Sequence, residues 1–298
     1  MKLFVSIALF LVTLTTTIAQ TINTEVLDGK GQPKLLGKIN KDGLLKDGYK
    51  TWFNKNHDEY IANEKLINTF KDSLNNYTIK VFLGTWCGDS KKEVPRFYKV
   101  LELANFNMDN LEVFALDNTK ESYKKGPNGE EKGFNIHRVP TFIFYKDGKE
   151  INRIVEHPVE TLERDIEKIV TNQRYFAKYY VANITFYNLN EKPLEDLIAL
   201  ESNFLTYFPD YSEGSKELNT LGYWHLKDKQ FDKALYLFDL NTKMFPNNPN
   251  VFDSLGEAFY MTKNYKEATK NYNKVLQFKP EDKNALEMLD KIKLEMKQ

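Results

Sequence analysis

The chain of 298 residues contains a single cysteine, Cys87. One cysteine cannot form a disulfide bond within the chain, so no disulfide framework is expected to hold the fold together. Histidines are also few, and four scattered histidines with one cysteine do not supply the ligand set of a metal site. The sequence therefore predicts no metal and no bound cofactor, and it leaves Cys87 as a free thiol, as half of an intermolecular disulfide bond, or as a small buried apolar side chain.

An excess of charge of one sign is absent as well. The chain has 42 basic and 42 acidic residues, and no basic stripe of the kind that binds nucleic acid. After the N terminus it also lacks a long apolar run, so no membrane span is expected in the mature chain. Its hydrophobic share of 41% and charged share of 28% are typical of globular proteins, and its length accommodates two domains.

The N terminus has the pattern of a secretory signal peptide over residues 1–19. Lys2 provides the positive start, and an apolar run from Leu3 to Val12 is interrupted only by Ser6. The small residue Ala19 ends a plausible cleavage site. A membrane anchor is the alternative, but a spanning helix needs about 20 apolar residues and this run is shorter. The sequence thus predicts export, with the mature protein free in the periplasm or outside the cell.

The order of patterns after the signal predicts two domains. Residues 20–48 are rich in Gly, Lys, Asp and Asn and are interpreted as a linker, with room for a short strand near Leu35 and Leu36. Residues 49–172 contain, after an initial helical stripe, a strand, a helix, a strand, a polar loop, a hairpin and a helix, which predicts an α/β domain with a mixed sheet flanked by helices. Residues 173–298 have no strand pattern and predict an all-α domain.

The helical part contains an internal repeat with a spacing of 34 residues, seen in two units at about 215–248 and 249–282. This is the tetratricopeptide pattern of paired helices, with a more polar capping helix expected over residues 281–297. The tail resembles the tetratricopeptide tails of many exported bacterial enzymes, which implies partner binding, self-association or support of the neighbouring domain. The recurring positions are Leu221 and Leu255, Gly222 and Gly256, Phe231 and Tyr265, Ala234 and Ala268, Phe238 and Tyr272, and Pro246 and Pro280.

The segment most informative about chemistry surrounds Cys87. A buried strand ends at Trp86 and Cys87, and a helix pattern begins directly afterwards. This places the sulfur at a helix N terminus, where unpaired backbone N–H groups and the helix dipole favour a thiolate. Lys91 and Lys92 add positive charge nearby, whereas Asp89 opposes them.

Residues 86–91, W-C-G-D-S-K, resemble the active-site loop of thioredoxins, whose pattern is W-C-G-P-C-K. Residues 138–142, R-V-P-T-F, with the following Asp147-Gly148, resemble the cis-proline loop and hairpin of the same family. The resemblance covers roughly residues 60–170 and is closest to envelope thioredoxin-like proteins of bacteria. It implies a thioredoxin fold in which Cys87, Ser90 and Pro140 form the catalytic positions and a substrate groove is framed by Trp86, Gly88, Asp89, Val139 and Thr141.

Three departures from the family pattern change the expected chemistry. Ser90 stands where the second, resolving cysteine belongs, so an external thiol such as glutathione or a partner dithiol protein has to complete the cycle. Asp89 replaces the proline between the two cysteine positions, and Val81 falls near the position of the family's buried acid. These changes argue against an efficient general disulfide reductase.

Histidines allow a different chemistry, that of a Cys–His hydrolase. In a thioredoxin-like fold, His137 before the Pro140 loop and His157 after the following strand can both approach Cys87. Such a pair needs near hydrogen-bond contact. The more ordinary interpretation is that both are loop or surface histidines.

Two functional hypotheses follow. The first is an exported monothiol protein, similar to a reductase or isomerase, that exchanges thiols with the disulfides or mixed disulfides of client proteins at Cys87. Its helical repeats would bind a partner or a second copy of the chain. The second hypothesis is a non-catalytic scaffold, in which the thioredoxin fold and the repeats only bind a protein partner. The reactivity of the Cys87 thiol distinguishes them.

Overall fold

A six-stranded mixed sheet forms the centre of the N-terminal half in the computed structural model, which describes residues 21–297. The strand order is β1-β2-β4-β3-β5-β6, with β3 and β4 parallel and all other neighbours antiparallel. Apolar residues on both faces of β3 and β5 explain their central positions. The strands are β1 (Thr24–Leu27), β2 (Pro33–Ile39), β3 (Thr78–Leu83), β4 (Leu111–Ala115), β5 (Thr141–Lys146) and β6 (Lys149–Val155).

Five helices accompany the sheet, and the longer ones bury a stripe of apolar residues against it. The helix α3 begins where the side chain of Asn63 accepts a hydrogen bond from the Leu66 amide, and it buries Ile67, Phe70 and Leu74 at helical spacing. In the same way the Thr161 hydroxyl caps α5. The helices are α1 (Lys41–Leu44), α2 (Lys50–Asp58), α3 (Glu64–Leu74), α4 (Gly88–Leu103) and α5 (Leu162–Val170).

The segment before α2 differs from expectation. The sequence predicts a linker over residues 20–48 with room for a short strand near Leu35 and Leu36. In the structure, residues 24–44 form β1, β2 and α1, and β2, which contains both leucines, pairs with β4 in the main sheet. Leu35 and Ile39 are buried in the core of the domain. The composition misleads because the glycines and charged residues occupy turns and the exposed face, while a short alternation of buried residues makes the strand.

The C-terminal half is entirely helical over the residues that the structure describes, 173–297. The helices α10 and α12 have equal lengths and are offset by the 34 residues of the sequence repeat. A Cβ atom on Gly222 would lie 2.6 Å from the Phe238 ring, and one on Gly256 would lie 3.2 Å from the Tyr272 ring, so each repeated glycine permits the close approach of a repeated aromatic ring. The helices are α6 (Tyr180–Glu191), α7 (Leu194–Ala199), α8 (Glu201–Tyr211), α9 (Lys216–Lys227), α10 (Phe231–Met244), α11 (Pro249–Met261), α12 (Tyr265–Phe278) and α13 (Lys283–Glu295).

The helical region packs against the loop between β4 and β5 and the end of β6. Arg138 forms an ion pair of 2.9 Å with Glu156, and its guanidinium lies 3.9 Å from the ring centre of Tyr179. The Tyr179 hydroxyl donates a hydrogen bond to the Glu156 carboxylate, and Lys125 forms an ion pair with Asp228. These polar contacts fix the first helices beside the loop that precedes β5.

The signal peptide predicted for residues 1–19 lies outside the described residues. Over residues 21–297, the helices are all too short or too polar to cross a membrane. Within the described residues, the first strand, β1, begins at Thr24, inside the segment predicted as a linker.

Candidate active site

Cys87 lies between the end of β3 and the first residue of α4. It is the N-cap residue of α4, with extended backbone angles, and its amide donates a 2.8 Å hydrogen bond to the Gly84 carbonyl. Its own carbonyl accepts the first helical hydrogen bond, from the Lys91 amide. The first-turn N–H groups of α4 have no helical partner, so positive partial charge accumulates next to this residue. The side chain is half-buried.

A second segment, 52 residues further along the chain, meets the sulfur of Cys87. The Sγ lies 3.3 Å from the Val139 carbonyl oxygen, to which the thiol can donate. The peptide bond between Val139 and Pro140 is cis, and the Thr141 hydroxyl holds the loop by donating to the Arg138 carbonyl over 2.8 Å. Val139 and Thr141 are buried. The structure therefore brings together the two motifs that the sequence singles out.

The other positions of the motif have different environments. Ser90 is fully buried, and its hydroxyl oxygen accepts a 3.1 Å hydrogen bond from the Gly84 amide. It therefore supports the end of β3. Gly88 and Asp89 are exposed in the first turn of α4. Val81, at the predicted position of the family's acid, is buried in β3.

Trp86 forms one side of the site. Its indole Nε1 donates a 2.8 Å hydrogen bond to the Leu116 carbonyl, and its ring lies 5.7 Å from the ring of Tyr123. A Cβ atom on Gly84 would lie 2.5 Å from the indole, so this position accommodates only glycine without displacing the ring. Tyr123 belongs to the segment that the sequence predicts as a polar surface loop. The sequence around Tyr123 did not indicate that its ring would lie beside the site.

The two histidines considered as neighbours of Cys87 have different surroundings. His137 is fully buried, its Nε2 is 2.8 Å from the Asn183 side chain, and its ring packs against Phe186 of α6. Burial lowers the pKa of His137 to about 3, so the ring is neutral at pH 7. The Nδ1 of His157 is buried without a hydrogen-bond partner in the described part of the chain. Neither histidine is hydrogen-bonded to Cys87 within residues 21–297.

Lys124 is a further charged residue near the site that the sequence pattern does not reveal. It is 7% exposed, and its ammonium donates a 2.6 Å hydrogen bond to the His137 carbonyl. Burial lowers the pKa of Lys124 to about 8, so most of the population remains charged at pH 7. The same ammonium lies 4.8 Å from the centre of the Tyr123 ring. A cation and an aromatic ring thus adjoin the Trp86 side of the site.

Comparison with known proteins decides the fold family of this part of the chain. The family model described as Thioredoxin matches residues 56–168. Residues 56–168 are a thioredoxin domain. Thioredoxin H2 from Arabidopsis thaliana is 28% identical over 102 residues, which covers 34% of this chain and 68% of that protein. The predicted fold class, a thioredoxin-like α/β domain followed by an all-helical region, is therefore confirmed.

Cys87 supplies the thiol of the thioredoxin domain, because the full sequence has no other cysteine. Over residues 21–297, groups of three or more His, Cys, Asp or Glu side chains that could hold a metal ion are absent. A thiol at a helix N terminus, next to a backbone carbonyl and an aromatic wall, can attack a disulfide sulfur that approaches along the Val139 loop.

Proposed function

We propose that the protein exchanges thiols with disulfides through Cys87 alone. The observation that carries this proposal is the placement of the half-buried Cys87 sulfur at the N terminus of α4, 3.3 Å from the Val139 carbonyl oxygen. The match of residues 56–168 to thioredoxins supports a role as a thiol–disulfide oxidoreductase.

The reaction would proceed in two exchanges. The Cys87 thiolate attacks one sulfur of a client disulfide, a bond forms between the two sulfurs, and the other client sulfur leaves as a thiolate that takes up a proton. An external thiol then attacks the mixed disulfide and releases Cys87. Ser90 cannot perform this second step, because an alcohol does not replace the resolving thiol and because its oxygen is buried against the Gly84 amide.

The test uses a peptide whose cysteine carries glutathione as a mixed disulfide, with excess glutathione as the external thiol. We expect the wild-type protein to release glutathione from the peptide and the Cys87→Ser and Cys87→Ala variants to lose this activity. Because Cys87 lies at a helix end outside the apolar core, both variants should keep the circular dichroism spectrum of the wild type. Full activity in the two folded variants would reject the proposal.

A non-catalytic scaffold is the second candidate, and the loss of the resolving position at Ser90 favours it. In that case the partners that bind the protein would be the same for wild type and Cys87→Ser. The rate of Cys87 alkylation as a function of pH separates the candidates, because an activated thiol reacts at lower pH than a free thiol in a denatured control.

The proposal includes export and an interaction role for the helices. The pattern of residues 1–19 supports removal of a signal peptide, which N-terminal sequencing of the protein purified from its source would test. The paired helices of the 34-residue repeat, α9 with α10 and α11 with α12, support tetratricopeptide-type binding of a partner or of a second copy. Sedimentation of the purified chain distinguishes self-association from binding of a different protein.

A further inference from the structure

A cavity of about 610 Å³ lies between the thioredoxin domain and the helical region. Its walls come from the loop after β4, from α9, from the start of α10 and from the end of α11. The volume is within the range of ligand-binding pockets, roughly 300–1,000 Å³. The aromatic part of the lining consists of Tyr123, Tyr223, Trp224 and Phe231.

The cavity adjoins the site of Cys87 through a shared aromatic wall. Tyr123 lines the cavity, and its ring is 5.7 Å from the ring of Trp86, the residue before Cys87. The ammonium of Lys227 on α9 lies 4.9 Å from the centre of the same Tyr123 ring. Tyr123 therefore belongs both to the cavity lining and to the aromatic wall of the Cys87 site.

The charges around the cavity are unbalanced, although the chain as a whole is neutral. Five lysines and two acidic residues line it, which leaves an excess of three positive charges. One acid, Asp228, is already paired with Lys125. The lining residues with charge are Lys120, Glu121, Lys124, Lys125, Lys227, Asp228 and Lys229.

Lys124 gives a second and independent indication of an anionic ligand. It is 7% exposed, it lines the cavity, and no carboxylate of residues 21–297 lies within ion-pair distance of its ammonium. An ammonium has three donors, and the His137 carbonyl accepts one of them. Burial of a charge is costly unless a partner of opposite charge compensates for it. A carboxylate in the cavity would supply that partner.

We propose that this cavity binds an acidic, aromatic-containing segment of the client polypeptide, next to the cysteine that reacts with Cys87. The proposal rests on the exchange reaction proposed above and assigns its substrate class. The aromatic lining accepts an apolar side chain, and the lysines accept the carboxylates that flank it. A cavity of about 610 Å³ whose walls come from four elements suits a segment of chain better than a single small group.

Binding can be tested separately from the chemistry with labelled peptides that contain no cysteine. One peptide has Asp-Phe-Asp beside a central serine, and the matched peptide has Asn-Phe-Asn at the same place. Fluorescence anisotropy with the full-length wild-type protein should give a dissociation constant about tenfold lower for the acidic peptide, a preference that weakens as salt increases. Equal affinity for the two peptides would overturn the proposal.

Variants of the exposed Lys227 test the location of the site. Lys227→Glu should abolish the preference for the acidic peptide, and Lys227→Gln, which places no new charge at the end of α9, should reduce it about threefold. The matched control is Lys65→Glu, the same charge change at an exposed residue of α3 that does not line the cavity. An equal loss in Lys65→Glu would show a general charge effect and reject the site.

The failure of this proposal is distinguishable from the failure of the exchange reaction. Cysteine-containing versions of both peptides, as mixed disulfides with glutathione, report the reaction at Cys87. Exchange at equal rates with both peptides would reject the cavity as a specificity site and leave the reaction intact. Selective binding of the acidic peptide without exchange at Cys87 would support the cavity and reject the reaction.

Discussion

Acidification should destabilise the thioredoxin domain through His137. Burial lowers the pKa of His137 in the folded protein to about 3, whereas the unfolded chain has the ordinary value of about 6.5. Below pH 6.5 the unfolded state therefore binds a proton that the folded state excludes. The stabilisation is fully present above that pH and is lost progressively as the pH falls toward 3.

The size of the effect follows from the difference between the two pKa values. A solution at pH 5 is about 1.5 units below the pKa of His137 in the unfolded chain. At about 1.36 kcal/mol per unit, the free energy of unfolding therefore falls by about 2 kcal/mol between pH 7 and pH 5. For a domain of about 150 residues, that corresponds to a decrease in melting temperature of roughly 4–8 °C. The loss is a large part of a typical free energy of unfolding of about 5–15 kcal/mol.

The assay compares wild type with His137→Gln, since glutamine does not titrate and can still bond to Asn183. Urea unfolding at pH 7 and pH 5, followed by circular dichroism, gives the free energy of the transition that unfolds the thioredoxin domain. We expect the wild type to lose about 2 kcal/mol more than the variant between the two pH values. Buried carboxyls such as Asp165, whose pKa burial raises, titrate equally in both proteins and cancel in this difference.

His225 on α9 provides the internal control. Burial also lowers its pKa, to about 4, so the helical region should lose stability over the same pH range in both proteins. The variant His137→Gln should leave that second contribution unchanged. If wild type and His137→Gln lost the same free energy within about 0.5 kcal/mol, the buried neutral histidine would not be the cause of acid sensitivity.

Two further predictions concern packing and the contact between the two parts. Gly222→Ala should destabilise the helical region by about 1–3 kcal/mol, because the new methyl group would lie 2.6 Å from a phenylalanine ring of α10. Gly256→Ala should cost less, since the nearest tyrosine ring atom would be 3.2 Å away. Urea unfolding measures both costs, and equal costs would contradict this explanation. Arg138→Met should cost about 2 kcal/mol and increase amide hydrogen exchange in α6 and α9, because it leaves the partly buried Glu156 without its cationic partner and removes the guanidinium from the Tyr179 ring. Arg164→Met removes a more exposed pair and should cost at most about 1 kcal/mol, and a similar effect of both variants would argue against the Arg138 contact as the main link.

Local sequence patterns predicted those parts of the fold in which the spacing of apolar residues follows the period of a strand, a helix or a repeat. The apolar run before Cys87 and the helical spacing after it correspond to β3 and α4. The repeat spacing of 34 residues corresponds to the equal lengths of α10 and α12 and to the glycines opposite Phe238 and Tyr272. In these segments the buried residues recur at a fixed spacing along the sequence. The pattern can therefore be recognised without knowledge of the rest of the molecule.

Other features depend on contacts between residues far apart in the sequence. The strand β2 contains a proline and a glycine, and its pairing with β4 makes it part of the main sheet. Lys124 is buried because helices about 100 residues later cover its loop, and the sequence around it is that of an exposed turn. His137 was one of two histidines considered as neighbours of Cys87, with a loop or surface position as the more ordinary interpretation, and Asn183 and Phe186 of α6 pack against it. Such tertiary contacts have no periodic signature.

Over residues 173–297 the helices of the tail pack mainly against their neighbours in the sequence, and the contacts of α6 and α9 join the tail to the thioredoxin domain. Such an array has an anchored end and a free end, and the free end should fray first. Limited proteolysis would therefore remove α13 and α12 before it reaches α9, which lines the cavity beside Cys87. The tail can thus be shortened or lengthened at its far end while the walls around the reactive thiol persist.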